Sequence, residues 1–224
     1  MSDLDRAAAQ EILNKMRLYV LLTQELCAVP LLDAARQVIA GGADVIQLRE
    51  KKLDDSELLK TARELRRMTA DAGVGFVVND RPDIARLAEA DGVHLGQEDL
   101  PPAAARKVLA EDQIIGVSTH SIAQAKQAVA DGADYIGVGP VFPTTTRGYA
   151  QGVGLDYVRE AAQAISVPLV AIGGIGIANV PDILVAAAGA RVCVAVCAAI
   201  LRADDIEAAT AALKEALASG EKVP

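Results

Sequence analysis

Residues 131–139 read Asp-Gly-Ala-Asp-Tyr-Ile-Gly-Val-Gly, a turn of small residues leading straight into a short apolar run. Close variants recur along the chain. Ala40-Gly41-Gly42-Ala43-Asp44 leads into Val45–Leu48, Ala90-Asp91-Gly92 into Val93–Gly96, and Ala188-Gly189-Ala190 into Val192–Val196. Glycine in such a turn can take the left-handed conformation that ends a helix, and small neighbours permit a tight entry into a strand. Working outward, further apolar runs lie at Leu18–Leu22, Val74–Val78, Ile114–Val117, Tyr135–Gly139 and Leu169–Ile172. Most are nearly continuous and β-branched, which suits strands covered on both faces of a parallel sheet. Helical patterns separate them, among them Ser56–Ala72, Ser121–Ala130, Asp156–Ile165 and Asn179–Ala188.

Seven intervals of about 25 residues separate the run at Leu18 from the run at Val192. That is the length of one strand, one helix and two loops, the βα unit. Eight such units predict an α/β fold, a single (β/α)8 TIM barrel at the short end of its size range. An open doubly wound sheet is the alternative. The spacing assigns residues 1–16 to an extra N-terminal helix capping the bottom of the barrel. It assigns residues 17–201 to the barrel strands and helices and 202–224 to a C-terminal helix and tail. Residues 1–224 thus read as one domain, with no linker or low-complexity segment.

Composition narrows the function classes. Of 224 residues, 52% are hydrophobic and 23% charged, which excludes an intrinsically disordered chain. Aromatics make up 3% with no Trp, too few for a base-stacking nucleic-acid platform. The balance of 22 Lys+Arg against 30 Asp+Glu gives −8, so the whole repels nucleic acid and anionic membranes. An anionic ligand would need locally concentrated cations. Cys27, Cys193 and Cys197 are too few and too odd in number for a disulfide scaffold. No apolar leader core or membrane-length run is present, so a cytoplasmic protein is expected, with homo-oligomerisation left open.

Catalytic residues of such barrels lie where strands end and βα loops begin. After the second run stand Gln47, Arg49 and Lys51, which strand alternation points to one face. Two cations there suit a polyanion, Arg49 as a planar fork and Lys51 as a point charge. After the third run come Asn79 and Asp80, and after the fourth Asp99; two carboxylates suit Mg2+ shared with substrate phosphates. Both segments also read as turn or helix-cap chemistry. His94 alone on a strand reads as a satisfied core residue. Ser118 offers a hydroxyl to a phosphate, while Ser121 reads as the cap of the next helix. No Gly-x-Ser-x-Gly motif or triad pattern supports a nucleophilic serine. Thr144, Thr145 and Thr146 with Arg147 offer hydroxyls, main-chain N–H groups and a cation. Gly173-Gly174 follows the seventh run, where these barrels commonly bind phosphate. Cys197 reads as a small apolar residue at the end of the eighth.

Taken together, QLREK at Gln47–Lys51, ND at Asn79–Asp80 and DGVHLGQEDLP at Asp91–Pro101 resemble the thiamine-phosphate synthase (thiamine phosphate pyrophosphorylase) family. GVSTH at Gly116–His120, GPVFPTTT at Gly139–Thr146 and AIGGI at Ala171–Ile175 extend the resemblance to nearly the whole chain. The resemblance implies a Mg2+-assisted transferase acting on small phosphorylated substrates. It would join hydroxymethylpyrimidine diphosphate to thiazole phosphate, or its carboxylated form, by a dissociative route that releases pyrophosphate. It implies Asp80 and Asp99 as metal ligands. Gln47, Arg49, Lys51, Asn79, Ser118 and Arg147 would take the pyrimidine diphosphate, with Arg49, Lys51, Ser118 and Arg147 acting in catalysis. Thr144, Thr146, Gly174, Val196 and Cys197 would take the thiazole phosphate. Two positions depart from the family pattern, which usually has Lys at Arg147 and Ser at Cys197.

Three rivals differ in what they require. A related thiazole tautomerase tends to lack the GQED carboxylate. A non-catalytic phosphate-ligand barrel has no reason to keep Asp80, Asp99, Arg49 and Lys51 together. A phosphosugar isomerase or epimerase needs a paired acid and base at the strand ends, and none is evident.

Overall fold

A computed structural model of the chain describes residues 11–144 and 151–220. The strands are β1 (Leu18–Leu22), β2 (Val45–Leu48), β3 (Gly75–Asn79), β4 (Gly92–Leu95), β5 (Ile114–Thr119), β6 (Tyr135–Val138), β7 (Leu169–Ile172) and β8 (Val192–Val196). They pair in parallel in sequence order and close into a barrel. Closure is direct, with Leu18 opposite Val194 and Val20 opposite Val196. An open sheet is thereby ruled out. The helices between strands include α1 (Leu31–Ala40), α2 (Asp55–Ala72), α3 (Pro82–Leu87), α4 (Pro102–Ala105), α5 (Ile122–Ala130), α6 (Gly154–Ala164) and α7 (Val180–Ala186). A short α8 (Ala198–Leu201) and a longer α9 (Ile206–Gly220) follow β8. No helix among the described residues is long and apolar enough to cross a membrane.

Alternation along each strand sorts side chains into two cores. Leu18, Val20, Leu22, Ile46, Phe76 and Val78 face outward into the layer shared with the helices. Tyr19, Leu21, Val45, Val77, Ile114, Tyr135 and Val170 fill the inside. Leu13 and Met16 join that inner cluster at 5% and 3% exposure and close the end where the strands begin. Leu13 belongs to a helical segment over residues 11–15 and Met16 follows it; residues 1–10 of the expected N-terminal helix lie outside the described residues.

The recurring turn has a defined job. Asp44 N–H donates to Leu18 O while Leu18 N–H donates back to Asp44 Oδ2, both at 2.9 Å. Asp91 and Phe76 repeat this exchange at 2.8 and 2.7 Å, as do Asp134 and Ile115 at 2.8 and 2.7 Å. Each carboxylate also meets a cation: Lys214, Arg66 and Arg106 respectively. The fourth equivalent position, before β8, holds Arg191, so the device occurs in three quarters of the ring. Two residues before each of these four positions the chain is left-handed, at Gly42 (φ 88°), Glu89 (54°), Gly132 (93°) and Gly189 (82°).

Glu89 is the misfit, because a side chain in this region costs about 1–2 kcal/mol. Glu89→Gly is therefore expected to raise stability by about 0.5–1 kcal/mol, strain relief exceeding the added freedom of the unfolded chain. Asp91→Ala, two residues on, should lower it by about 1–3 kcal/mol by orphaning the Phe76 N–H. Urea denaturation reads both, and shifts of the same sign would overturn this account of the turn.

Candidate active site

A cavity of about 470 Å3 opens where the strands end, lined among others by Gln47, Arg49, His94, Ser118, Thr144 and Gly174. Its walls come from two sides of the ring. On the β2–β5 side, alternation places Gln47 and Arg49 on the cavity as expected. Lys51 departs from that expectation, since β2 stops at Leu48 and alternation stops with it. Lys51 instead stands on the loop, 58% exposed, with Nζ 3.5 Å from Asp80 Oδ2.

Asn79 ends β3 at 7% exposure. Asp80 follows with φ 64°, a conformation that is costly for a non-glycine residue, and its N–H donates to His94 O at 2.8 Å. Asp99 Oδ2 accepts from Gly96 N–H at 2.6 Å. It therefore ties down the turn after β4 and does not cap α4, whose N-cap is Pro101. Asp80, through its N–H, and Asp99, through its carboxylate, are thus anchored to residues 94 and 96 of one segment. Hard oxygen ligands fit Mg2+, which takes one or two carboxylates and completes its shell with substrate phosphates and water. Among the described residues no three His, Cys, Asp or Glu converge to hold a metal alone.

Two buried oxygens in this half, Gln47 Oε1 and Asn79 Oδ1, accept no hydrogen bond from the protein. A buried carbonyl left so costs about 1–3 kcal/mol, so each is an acceptor awaiting a donor. Gln47 Nε2 is engaged, donating to Tyr19 Oη at 2.8 Å. Tyr19 Oη lies 3.1 Å from Tyr135 Oη, which lies 3.1 Å from His94 Nδ1. His94 Nε2 is 2.9 Å from Ser118 Oγ. His94 is thus both satisfied, as its sequence context suggests, and part of the cavity wall. Behind the His94–Ser118 pair stands a tyrosine and no carboxylate, so a triad does not form. Tyr19 and Tyr135 escape sequence reasoning because they sit inside apolar runs. The available signal was their inward parity, since a buried phenol needs a partner.

On the β6–β8 side, the loop after β6 is laced onto the loop after β7. Val141 N–H donates to Ile172 O at 2.8 Å and Phe142 N–H to Gly173 O at 3.0 Å. Gly173 has φ 103°, and a Cβ there would lie 2.4 Å from Pro140 Cβ. Asn179, which the motifs did not flag, brackets the glycine loop. Its Nδ2 donates to Gly174 O and its Oδ1 accepts from Gly176 N–H, both at 3.0 Å. Thr144, Gly174, Val196 and Cys197 all line the cavity. Thr146 and Arg147 lie outside the described residues. The arrangement offers acceptors, cations and carboxylates on one side and a glycine-rich loop on the other.

The family model described as thiamine monophosphate synthase matches residues 18–200, which is most of the chain and every strand. The chain belongs to that family. A thiamine-phosphate synthase of Methanocella arvoryzae is 50% identical over 183 residues, covering 81% of this chain and 85% of its own. One from Moorella thermoacetica is 46% identical over 200 residues, covering 88% and 94%. A solved thiamine phosphate pyrophosphorylase from Pyrococcus furiosus superposes with a TM-score of 0.85 at 36% identity, covering 92% of this chain and 98% of that one. A 3-hexulose-6-phosphate synthase at 22% identity and TM-score 0.65 shares the barrel alone. Family membership makes this barrel a transferase of thiamine biosynthesis, and thiamine phosphate formation is the reaction the membership carries.

Gly173 holds the loops after β6 and β7 together. Gly173→Ala is expected to lower stability by about 1–3 kcal/mol, since the added Cβ meets Pro140 at a strained φ. Urea denaturation checks this, and an unchanged midpoint would show that the loop yields freely.

Proposed function

We propose that the protein joins 4-amino-5-hydroxymethyl-2-methylpyrimidine diphosphate to 4-methyl-5-(2-hydroxyethyl)thiazole phosphate, or its carboxylated form. The products are thiamine phosphate and pyrophosphate, with CO2 lost as well when the carboxylated thiazole is used. The observation that carries this reading is the buried, unpartnered Gln47 Oε1 beside Arg49 in the cavity wall, with the equally unpartnered Asn79 Oδ1 at the end of the neighbouring strand β3. An amino-substituted ring supplies the donor that Gln47 lacks, and a diphosphate supplies the charge for Arg49 and Lys51. The cytoplasm suits this chemistry and the free thiols of Cys27, Cys193 and Cys197.

The route is dissociative. The C–O bond to the diphosphate breaks, its electron pair leaves with pyrophosphate, and a pyrimidine methyl cation remains. The thiazole nitrogen then donates its lone pair to that carbon. No residue need act as nucleophile or strong base. Arg49 and Lys51 bind the leaving group, and Ser118 donates a hydrogen bond to it. Gln47 has a second role. As the cation forms, charge spreads onto the 4-amino group, whose N–H bonds become better donors to Gln47 Oε1. That interaction is stronger in the transition state than in the ground state, which is the condition for catalysis. Asp80 and Asp99 would hold Mg2+, which when bound neutralises charge on the departing pyrophosphate. On the other side Thr144, Thr146 and the main chain at Gly174, Val196 and Cys197 hold the thiazole phosphate, fixing its nitrogen against the cation. Arg147, which lies outside the described residues, would add a cation to the diphosphate site.

Mixing the protein with both substrates, omitting each in turn, and following pyrophosphate and thiamine phosphate tests the reading. Release should require both substrates and Mg2+, and EDTA should abolish it. Asp99→Asn and Asp80→Asn should each lower kcat by about 100-fold or more. Full turnover in EDTA by either variant would remove the metal from the mechanism. No product from folded protein would remove the reaction.

A further inference from the structure

We propose that Tyr19 and Tyr135 are positioning residues that set the direction of one hydrogen-bond relay, Gln47→Tyr19→Tyr135→His94→Ser118. The relay holds Gln47 toward the cavity as an acceptor and Ser118 as a donor, and so selects an amino-substituted pyrimidine over its oxo counterpart. The ring assignment rests on the function proposed above; the direction of the relay does not.

The argument counts protons. Tyr19, Tyr135 and Gln47 are at most 2% exposed, and His94 is 9% exposed. Burial pushes both phenols far above their usual range, so each keeps its single proton. Gln47 Nε2 donates to Tyr19. Tyr19 therefore accepts from Gln47 and gives its one proton to Tyr135 at 3.1 Å. Tyr135 has then accepted once, and its own proton goes to His94 Nδ1 at 3.1 Å. With Nδ1 accepting, the ring's hydrogen sits on Nε2, and this donates to Ser118 Oγ at 2.9 Å. Ser118, which borders the cavity, is left with its hydroxyl proton to offer.

At the other end, Gln47 Oε1 is buried and accepts nothing. With one proton per link, the chain runs wholly forward or wholly in reverse. In reverse, Gln47 would present its NH2 to the ligand and Ser118 its lone pairs. A 4-amino ring matches the forward state, whereas a 4-oxo ring presents an acceptor to an acceptor. Aligned bonds polarise one another, with the negative end of the chain at Gln47 and the positive end at Ser118. That polarity also suits a bond ionising to a cation near the first and an anion near the second. Space for the relay is built in: a Cβ on Gly116 would lie 2.0 Å from Tyr135 Cζ, so only glycine lets that ring cross the barrel.

Two measurements test the relay separately. The first needs no substrate: 15N NMR of the imidazole nitrogens in the ligand-free protein. The chain has two histidines, and His120→Asn assigns the signals. The proton is expected on Nε2 of His94 in the parent, with a tautomer mixture in Tyr135→Phe. A proton on Nδ1 in the parent, or an unchanged tautomer in Tyr135→Phe, overturns the direction. The second is calorimetric binding of the 4-amino pyrimidine diphosphate and of its 4-oxo analogue, without thiazole phosphate. The parent should favour the amino compound by roughly 10-fold or more, as a site built around an acceptor does. Tyr135→Phe and Tyr19→Phe should each erase most of that preference by weakening the amino compound alone, while KM for thiazole phosphate stays put. Equal binding of the two compounds by the parent, or an undiminished preference in both variants, overturns the selective role. Tyr19→Phe covers the case in which Tyr135→Phe does not fold. Binding of neither compound by a parent with His94 protonated on Nε2 overturns the proposed function and leaves the relay standing.

Discussion

The reciprocal hydrogen bonds between an aspartate and the strand before it are the constraint from which the rest follows. Asp44 meets Leu18 with both its N–H and its carboxylate, which fixes where β2 begins against β1. A slip of one residue would turn every side chain of β2 to the other face. Gln47 would then face the helices and Leu48 the cavity. Asp91 does the same for β3 and β4, and Asp134 for β5 and β6, the strands that carry Asn79, His94 and Ser118. The register of the chemistry at one end of the barrel is thus set by carboxylates at the other.

That division lets the two ends obey different rules. At the lower end, Leu13, Met16, Val45 and Ile114 pack without polar groups, and each clipping carboxylate has both an N–H and a cation. Near the mouth the inside of the barrel becomes polar. Gln47, Asn79 and His94 are buried, and Gln47 and Asn79 each keep an oxygen without a partner from the protein. Such groups lower stability unless a ligand meets them. A folded barrel tolerates them because its lower layers are saturated.

How far the sequence could be read follows from the same physics. Runs buried on both faces announce themselves, and β1, β2, β7 and β8 begin and end where the apolar letters do. β5 runs on to Thr119, beyond its apolar letters, because Thr119 finds Gly137 O and Tyr157 Oη. Parity located Gln47 and Arg49, and it failed for Lys51 where the strand ends. The relay was hidden for a different reason. Its members come from β1, β2, β4, β5 and β6, and only closure of the barrel brings residues 19 and 135 within reach. Asn179 was hidden likewise, since an amide after Gly-Gly-Ile-Gly reads as turn chemistry until its two bonds are seen.

A net charge of −8 opposes the binding of any anion to the protein as a whole. The structure resolves this by occupying cations elsewhere with nearby carboxylates. Arg81 is held by Asp55 and Asp83 at 2.6 and 2.7 Å, and Arg66 and Arg106 serve the clips. Lys51 is held far more loosely. Its contact with Asp80 spans 3.5 Å with the lysine 58% exposed, a pair worth under about 1 kcal/mol. Opening it therefore costs little at the mouth of the barrel. In the function proposed above, Lys51 and Asp80 would serve the diphosphate and its divalent ion. The weakness of that one pair keeps both charges ready without leaving either buried alone.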